Sequence, residues 1–108
     1  MKRRRTVAEP YVDDLYKRLK DPSYAAEFLN ASLELAKDDD DPRAVLLALY
    51  DVAQARGMKK IADAANMHRV SLHRMLTKNG NPEWKSLFRV LMATQLRFRF
   101  ESTLKKAA

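Results

Sequence analysis

The side chains best suited to bind another molecule are concentrated in and just after residues 58–78, which read MKKIADAANMHRVSLHRMLTK. Arginine can donate two hydrogen bonds to guanine O6 and N7, and a small apolar side chain can contact the methyl group of thymine. Candidates for contacts to DNA bases are His68, Arg69, Val70, His73 and Arg74. Candidates for contacts to phosphates are Lys59, Lys60, Ser71, Thr77, Lys78 and Lys85. This combination of residue types predicts a surface that reads double-stranded DNA.

The two histidines, His68 and His73, do not have the spacing of a metal site. They are five residues apart, whereas two metal ligands on one helix face are four apart. The chain has no cysteine and only two glycines, which argues against a thiolate ligand, a thiol nucleophile or a glycine-rich phosphate loop. We therefore expect no enzymatic activity, no metal and no cofactor. For His73, a solvent-exposed imidazole without any contact is an equally good interpretation.

Two short helices separated by a turn must position these side chains. Apolar residues recur on one side of each helix, at Ile61, Ala62 and Ala65 in the first and at Leu72, Met75 and Leu76 in the second. Asn66 lies between them, and asparagine tolerates the positive φ that a sharp turn needs. The spacing predicts a helix-turn-helix over residues 58–78, with a packed back and a basic front that suits the major groove of DNA.

Helical periodicity extends through most of the remaining chain. It predicts helices at residues 11–20, 22–36 and 43–56, and a last helix after residue 82. Pairs of Asp or Asn with proline at 21–22, 41–42 and 81–82 can each start a helix. The side chains expected to face the core in the second and the last helix are Tyr24, Ala25, Phe28, Leu29, Ser32, Leu33, Ala36, Trp84, Leu87, Phe88 and Leu91. Apolar and charged residues alternate over 96–101, which predicts a short β-strand.

The length of 108 residues favours a single domain. We place this domain at residues 11–104, after a disordered basic tail at 1–10 and before a frayed C-terminus at 105–108. The tail is either solvated or an arm that lies on DNA. No apolar run approaches the length of a membrane span, and no apolar segment of a signal peptide follows the basic start. We therefore expect a cytoplasmic protein.

The positive charge is concentrated in the second half of the chain. Residues 1–55 hold 9 Lys or Arg and 11 Asp or Glu, whereas residues 56–108 hold 12 and 3. The basic half contains the predicted helix-turn-helix, and this coincidence favours a nucleic acid as the partner. The four consecutive aspartates at 38–41 lack the alternation and the glycine of an EF-hand loop. We interpret residues 37–41 as a solvated linker in which Asp41 caps the next helix, or as an acidic patch that holds a basic protein.

Three stretches resemble the addiction-module antidote proteins, HigA-type antitoxins with a λ-repressor-like DNA-binding domain. They read DPxYAAEFLNA at residues 21–31, LALxDVAxARG at 47–57, and SL followed by LxxNGNP at 71–82. The resemblance covers residues 19 to about 100. It implies an all-α bundle of about six helices, a homodimer on its own operator, and a co-encoded toxin of the RelE/ParE superfamily.

Three functions are compatible with these observations. The first is a DNA-binding antitoxin that binds the inverted repeat of its own operator as a dimer and represses transcription. It also neutralises a small basic toxin of the RelE/ParE type by direct contact. In this case the acid-rich half would contact the toxin through Glu27, Glu34, Asp38, Asp39 and Asp40, and residues 96–100 would form part of the dimer surface. The second is a free-standing phage- or plasmid-type repressor without a toxin. The third is a protein-interaction module that no longer reads DNA.

Overall fold

The computed structural model describes residues 9–79 and 81–104, and six α-helices form the described part of the chain. The helices are α1 (Glu9–Leu19), α2 (Pro22–Asp39), α3 (Arg43–Arg56), α4 (Met58–Ala64), α5 (Arg69–Arg74) and α6 (Trp84–Ala93). A π-helical turn, Met75–Asn79, continues α5 directly. The predicted all-α fold with about six helices is confirmed. Residues 1–8 of the predicted tail at 1–10, and the predicted frayed end at 105–108, lie outside the described residues.

Two of the three Asx–proline pairs act at helix starts, as the sequence predicts. Asp21 Oδ1 accepts a hydrogen bond from the backbone N–H of Ser23 (3.3 Å), and Pro22 is the first residue of α2. Asp41 Oδ1 accepts one from the backbone N–H of Arg43 (3.0 Å) at the start of α3. Side-chain hydrogen bonds from the Arg43 guanidinium hold the pKa of Asp41 below its ordinary value.

The third pair, at residues 81–82, does not start a helix, so this prediction is wrong. Glu83 has an extended backbone (ψ 141°), and α6 begins at Trp84. The first helical bond there runs from the Leu87 N–H to the Glu83 carbonyl (3.0 Å). The prediction of a tail to residue 10 and of a first helix from 11 also needs correction, because α1 begins at Glu9.

The predicted linker at residues 37–41 is largely helical. Helix α2 continues three residues past the predicted end at Ala36 and ends at Asp39. Asp40 then adopts a left-handed conformation (φ 54°), and its N–H bonds to the carbonyls of Ala36 and Lys37. Asparagine and aspartate tolerate this conformation better than most residues. The backbone bonds of this terminal turn therefore outweigh the repulsion among neighbouring carboxylates.

Helix α3 lies between two clusters of buried apolar side chains and contributes to both. The larger cluster includes Leu46, Leu49, Tyr50, Ile61, Leu72 and Val90, and the smaller one includes Leu15, Leu19, Ala25, Val52 and Ala55. Asp51, also on α3, is fully buried, and the Tyr16 hydroxyl of α1 donates to its Oδ1 (3.1 Å). The central helix thus holds α1 and α2 on one side and the α4–α5 pair on the other.

Three side chains expected in the core are exposed instead. Trp84 and Phe88 on α6 are 65% and 43% exposed, and Val90 is the residue that α6 buries. Leu33 on α2 is 54% exposed, while Ala25 and Ser32 are buried. Helix α6 therefore presents its aromatic side outward, because its other side packs against the chain.

The strand predicted at residues 96–101 is not present in the described chain. These residues follow α6 without regular secondary structure. Leu96 packs against the smaller apolar cluster, whereas Phe98 is 40% exposed and Phe100 is fully exposed. A strand requires a neighbouring strand to pair with its backbone N–H and C=O groups, and residues 9–79 and 81–104 contain no other strand.

In the described part of the chain, no helix has both the length and the apolar composition to cross a lipid bilayer.

Asn66 has the positive φ (57°) that the sequence predicts for the turn after α4. Its N–H bonds to the Asp63 carbonyl (3.1 Å), and the next N–H, of Met67, bonds to the Ala62 carbonyl (2.9 Å). These bonds close the end of α4 and direct the chain into α5.

We expect Asn66→Ala to lower the free energy of unfolding by about 1 kcal/mol, because alanine adopts the left-handed conformation poorly. Asn66→Gly should be neutral or slightly stabilising, since glycine has no Cβ to oppose a positive φ. Urea denaturation of both variants measures the difference. Equal stability of the two would contradict a backbone origin of the effect.

Candidate nucleic-acid interface

Helix α5 and the π-helical turn after it have one buried and one exposed side. Leu72 is fully buried, and Met75 and Leu76 are 8% and 3% exposed. This fixes the back of the helix against α3 and α4. The opposite side carries exposed Arg69, Val70, Ser71, Arg74 and Lys78. The division predicted between a packed back and a basic front is confirmed.

An open cavity of about 360 Å³ lies along this basic front. We refer to it as the basic groove, and its lining residues are Gln54, Met58, Arg69, Val70, His73, Arg74 and Lys78. The groove thus brings together four of the five predicted base contacts and one predicted phosphate contact. Val70, at 63% exposed, offers an apolar surface between the two arginines. The guanidinium and ammonium groups suit the phosphates and base edges of a nucleic acid, and the apolar side chain suits a thymine methyl group.

The two histidines have different surroundings. His68 is exposed at the position before α5, with an extended backbone and no side-chain bond to the helix. His73 is half-buried, and its ring makes a T-shaped contact with the Tyr50 ring, at a centroid distance of 5.3 Å and an interplanar angle of 83°. His73 is therefore neither fully exposed nor without contacts inside the chain, and its contact with DNA stays a prediction. The tyrosine fixes the position of this ring in the wall of the groove.

The predicted phosphate contacts are not all in one place. Lys78 lines the groove and Ser71 is exposed on α5. The Lys59 ammonium pairs with Asp63 (2.9 Å) on the surface of α4, an exposed interaction of small energy that a phosphate can replace. The Thr77 hydroxyl donates to the carbonyl of His73 (2.7 Å) within its own helix.

The remaining two lysines lie beside α6. Lys60 lines a second open cavity, of about 320 Å³, together with residues of α3, α4 and the end of α6. Lys85 is exposed on α6, next to Trp84. These two lysines are not part of the basic groove.

Sequence reasoning did not identify two residues of the groove that come from outside α5. Gln54 of α3 is exposed, and its Nε2 donates to the Tyr50 hydroxyl (3.0 Å). A glutamine amide can bond to adenine N6 and N7. The signal for it in the sequence is a polar residue near the end of α3, about one turn before Met58. Met58 is mostly buried and forms the floor.

The acidic residues proposed for a protein contact lie on α2 and at its end. Glu27, Glu34, Asp38, Asp39 and Asp40 are all exposed. None of them lines the basic groove, so the two candidate surfaces are separate. Within residues 9–79 and 81–104, no three His, Asp or Glu side chains lie close enough together to hold a metal ion.

Comparisons with known proteins identify one family and one relative. Residues 11–102 match the model of a family described as "Probable addiction module antidote protein". An uncharacterised protein of Haemophilus influenzae is 33% identical over 76 residues, which cover 70% of this chain and 74% of the relative. No solved structure matches the chain significantly.

Proposed function

The chain belongs to the family of probable addiction module antidote proteins, and from this premise we propose that it is the DNA-binding antitoxin of a type II toxin–antitoxin module. It binds its operator as a dimer, represses its own transcription in the cytoplasm, and neutralises a co-encoded RelE/ParE-like toxin by direct contact. The observation that carries DNA binding is the basic groove, with Arg69, Val70 and Arg74 exposed beside Gln54.

The two helices around Asn66 act as a helix-turn-helix. Helix α5 enters the major groove, since its exposed front carries side chains that can reach base edges and its back is buried. His68 and Ser71 lie at the start of α5, where we place His68 at a base edge and Ser71 at a phosphate. Binding of the full chain to its own upstream DNA, compared with random DNA over a range of salt concentrations, tests this role. Equal affinity for the two DNAs would contradict operator recognition.

Lys78→Ala should weaken binding to operator and to random DNA by similar factors. The lysine ammonium contacts a phosphate, so its loss should flatten the slope of log affinity against log salt by about one unit. Fluorescence anisotropy at several salt concentrations measures both quantities. Lys17→Ala, an exposed lysine of α1, is the matched control and should leave the slope unchanged. A slope that stays the same in Lys78→Ala would remove this residue from the interface.

A single helix-turn-helix makes few base contacts, so the operator is an inverted repeat bound by two copies. The half-sites lie about 34 Å apart, or one turn of B-DNA. Footprinting of the upstream region measures this spacing, and a single protected half-site without symmetry would contradict it.

The toxin binds the acid-rich half of the chain. A ribonuclease-like toxin must be basic to bind RNA, and Glu27, Glu34, Asp38, Asp39 and Asp40 give α2 an exposed negative surface. Such complementarity raises the association rate more than the affinity. A variant with Gln at the two glutamates and Asn at the three aspartates should bind the product of the adjacent gene more slowly. An equally fast and equally salt-sensitive association would exclude this surface.

The basic groove supports a free-standing repressor equally well as a second candidate function. The gene neighbourhood separates the two candidates, because an antitoxin gene adjoins the gene of a small basic protein. Co-expression followed by purification of the complex is the direct test.

A further inference from the structure

Helix α6 presents an apolar surface that no part of the described chain covers. Trp84, Phe88 and Met92 follow each other at intervals of four residues and are 65%, 43% and 44% exposed. Residues four apart lie on the same side of a helix. The Trp84 and Phe88 rings are in contact, with centroids 5.7 Å apart. We refer to these three side chains as the α6 stripe.

The segment after α6 carries two further exposed aromatic side chains. Phe98 is 40% exposed, and Phe100 is fully exposed. Aromatic side chains have about 150–250 Å² each to bury. With their exposed fractions, these two and the α6 stripe together offer on the order of 500 Å² of exposed apolar surface.

We propose that the α6 stripe and residues 98–100 form the contact between two copies of this chain. This inference rests on the proposed dimer and assigns its interface. A standard interface buries about 800 Å² on each partner, and about 65% of a homodimer interface is apolar. The apolar area required is therefore about 500 Å², which is the area that this surface offers.

Three other groups could cover this surface, namely DNA, the toxin and the terminal residues of the chain, but each fits it less well than a second copy. DNA presents phosphates and sugars outside its grooves, so it would leave the tryptophan and phenylalanine rings uncovered. The toxin is proposed to bind the acid-rich side of α2, whereas the stripe lies on α6 beside the exposed Lys85 and Arg89. Residues 1–8 and 105–108 are rich in Lys and Arg as well. A second copy can cover apolar groups with apolar groups, while the two flanking cations stay in the solvated rim.

A contact between two copies would also give the alternating residues 96–101 a strand to pair with. Residues 96–101 alternate apolar and charged side chains but have no strand beside them. Two copies related by a two-fold axis can pair these segments with each other, because a two-fold contact brings the same surface of each subunit together. In the dimer, each copy of residues 96–101 thus supplies the neighbouring strand that the other copy lacks.

Trp84 is the single tryptophan of the chain, so it reports directly on this surface. We would combine sedimentation of the full chain, which gives its oligomeric state, with acrylamide quenching of tryptophan fluorescence. A dimer whose tryptophan is shielded from acrylamide supports the proposal. A dimer whose tryptophan is quenched like a free side chain places the interface elsewhere and leaves the proposed function intact. A monomer at all concentrations overturns both the interface and the proposed dimer.

A pair of matched variants gives an independent measurement. Phe88→Ser should raise the dimer dissociation constant at least tenfold, because it removes the central side chain of the stripe. Leu35→Ser, on α2, removes a side chain that is 54% exposed and should leave the constant unchanged. Circular dichroism checks that both variants are folded. An unchanged constant in Phe88→Ser, or an equal rise in both variants, contradicts the proposal.

Discussion

Arg69→Ala should weaken operator binding by about 1–3 kcal/mol and relax the sequence preference at one base pair of each half-site. Arg69 is the first residue of α5, is exposed and lines the basic groove. Its guanidinium can bond to guanine O6 and N7 together, and alanine can make neither bond. Affinities for the operator and for DNA changed at single positions, measured at one fixed salt concentration, give the size and the position of the effect.

Arg69→Lys is the control that separates charge from base recognition. Lysine keeps the positive charge but lacks the planar fork that makes two parallel hydrogen bonds. We therefore expect Arg69→Lys to retain binding to random DNA while it loses part of the preference for the operator. If Arg69→Ala binds operator and random DNA as the unmodified chain does, this residue does not read a base.

Leu72→Ala should lower the free energy of unfolding by about 2–5 kcal/mol. The leucine side chain is fully buried in the larger apolar cluster, where it anchors α5. Its truncation leaves a cavity and releases the helix that carries the basic groove, so DNA binding should weaken as well. Thermal and urea denaturation measure the loss of stability.

Val70→Ala is the matched control for Leu72→Ala, two residues away on the same helix. Val70 is 63% exposed, so its truncation should change stability by less than about 0.5 kcal/mol. A similar loss of stability in both variants would mean that α5 is not packed through Leu72.

The helix boundaries near α2 and α3 could be predicted from the sequence because their signals are local. Asp21 bonds to a backbone group two residues away, and Gly57, with φ at 105°, ends α3 within its own turn. The end of α2 could not be predicted in the same way. A run of aspartates has low helix propensity, and the bonds made by Asp40 depend on its left-handed conformation.

Which side of α6 faces the core could not be read from its apolar pattern. Its apolar residues form one broad side of the helix, and the buried Val90 and the exposed Trp84 both lie on it, so periodicity alone does not distinguish them. The decision depends on the position of α6 relative to α3 and α4, which are distant in sequence. Residues 96–101 show the same limit, because a strand pattern forms a strand only where a partner exists.

The candidate site was predictable where it lies on one helix and not where two helices meet. Alternation of buried and exposed positions on α5 identifies Arg69, Val70 and Arg74. The contribution of Gln54 and the contact of Tyr50 with His73 arise because α3 packs beside α5. Such a contact joins residues about 20 positions apart, and no local pattern encodes it.

Helix α3 connects the two proposed binding surfaces, the one for the toxin on α2 and the one for the operator at the basic groove. Asp51 receives the hydrogen bond of Tyr16 from α1. Tyr50, the residue before it, and Gln54, three residues after it, support the wall of the basic groove. A toxin that displaces α1 or α2 would act on the same helix that contributes Gln54 to the basic groove. Any factor by which the toxin changes affinity for the operator must then equal the factor by which the operator changes affinity for the toxin. Where that factor differs from one, the ratio of toxin to antitoxin in the cell would change how strongly the operon is repressed.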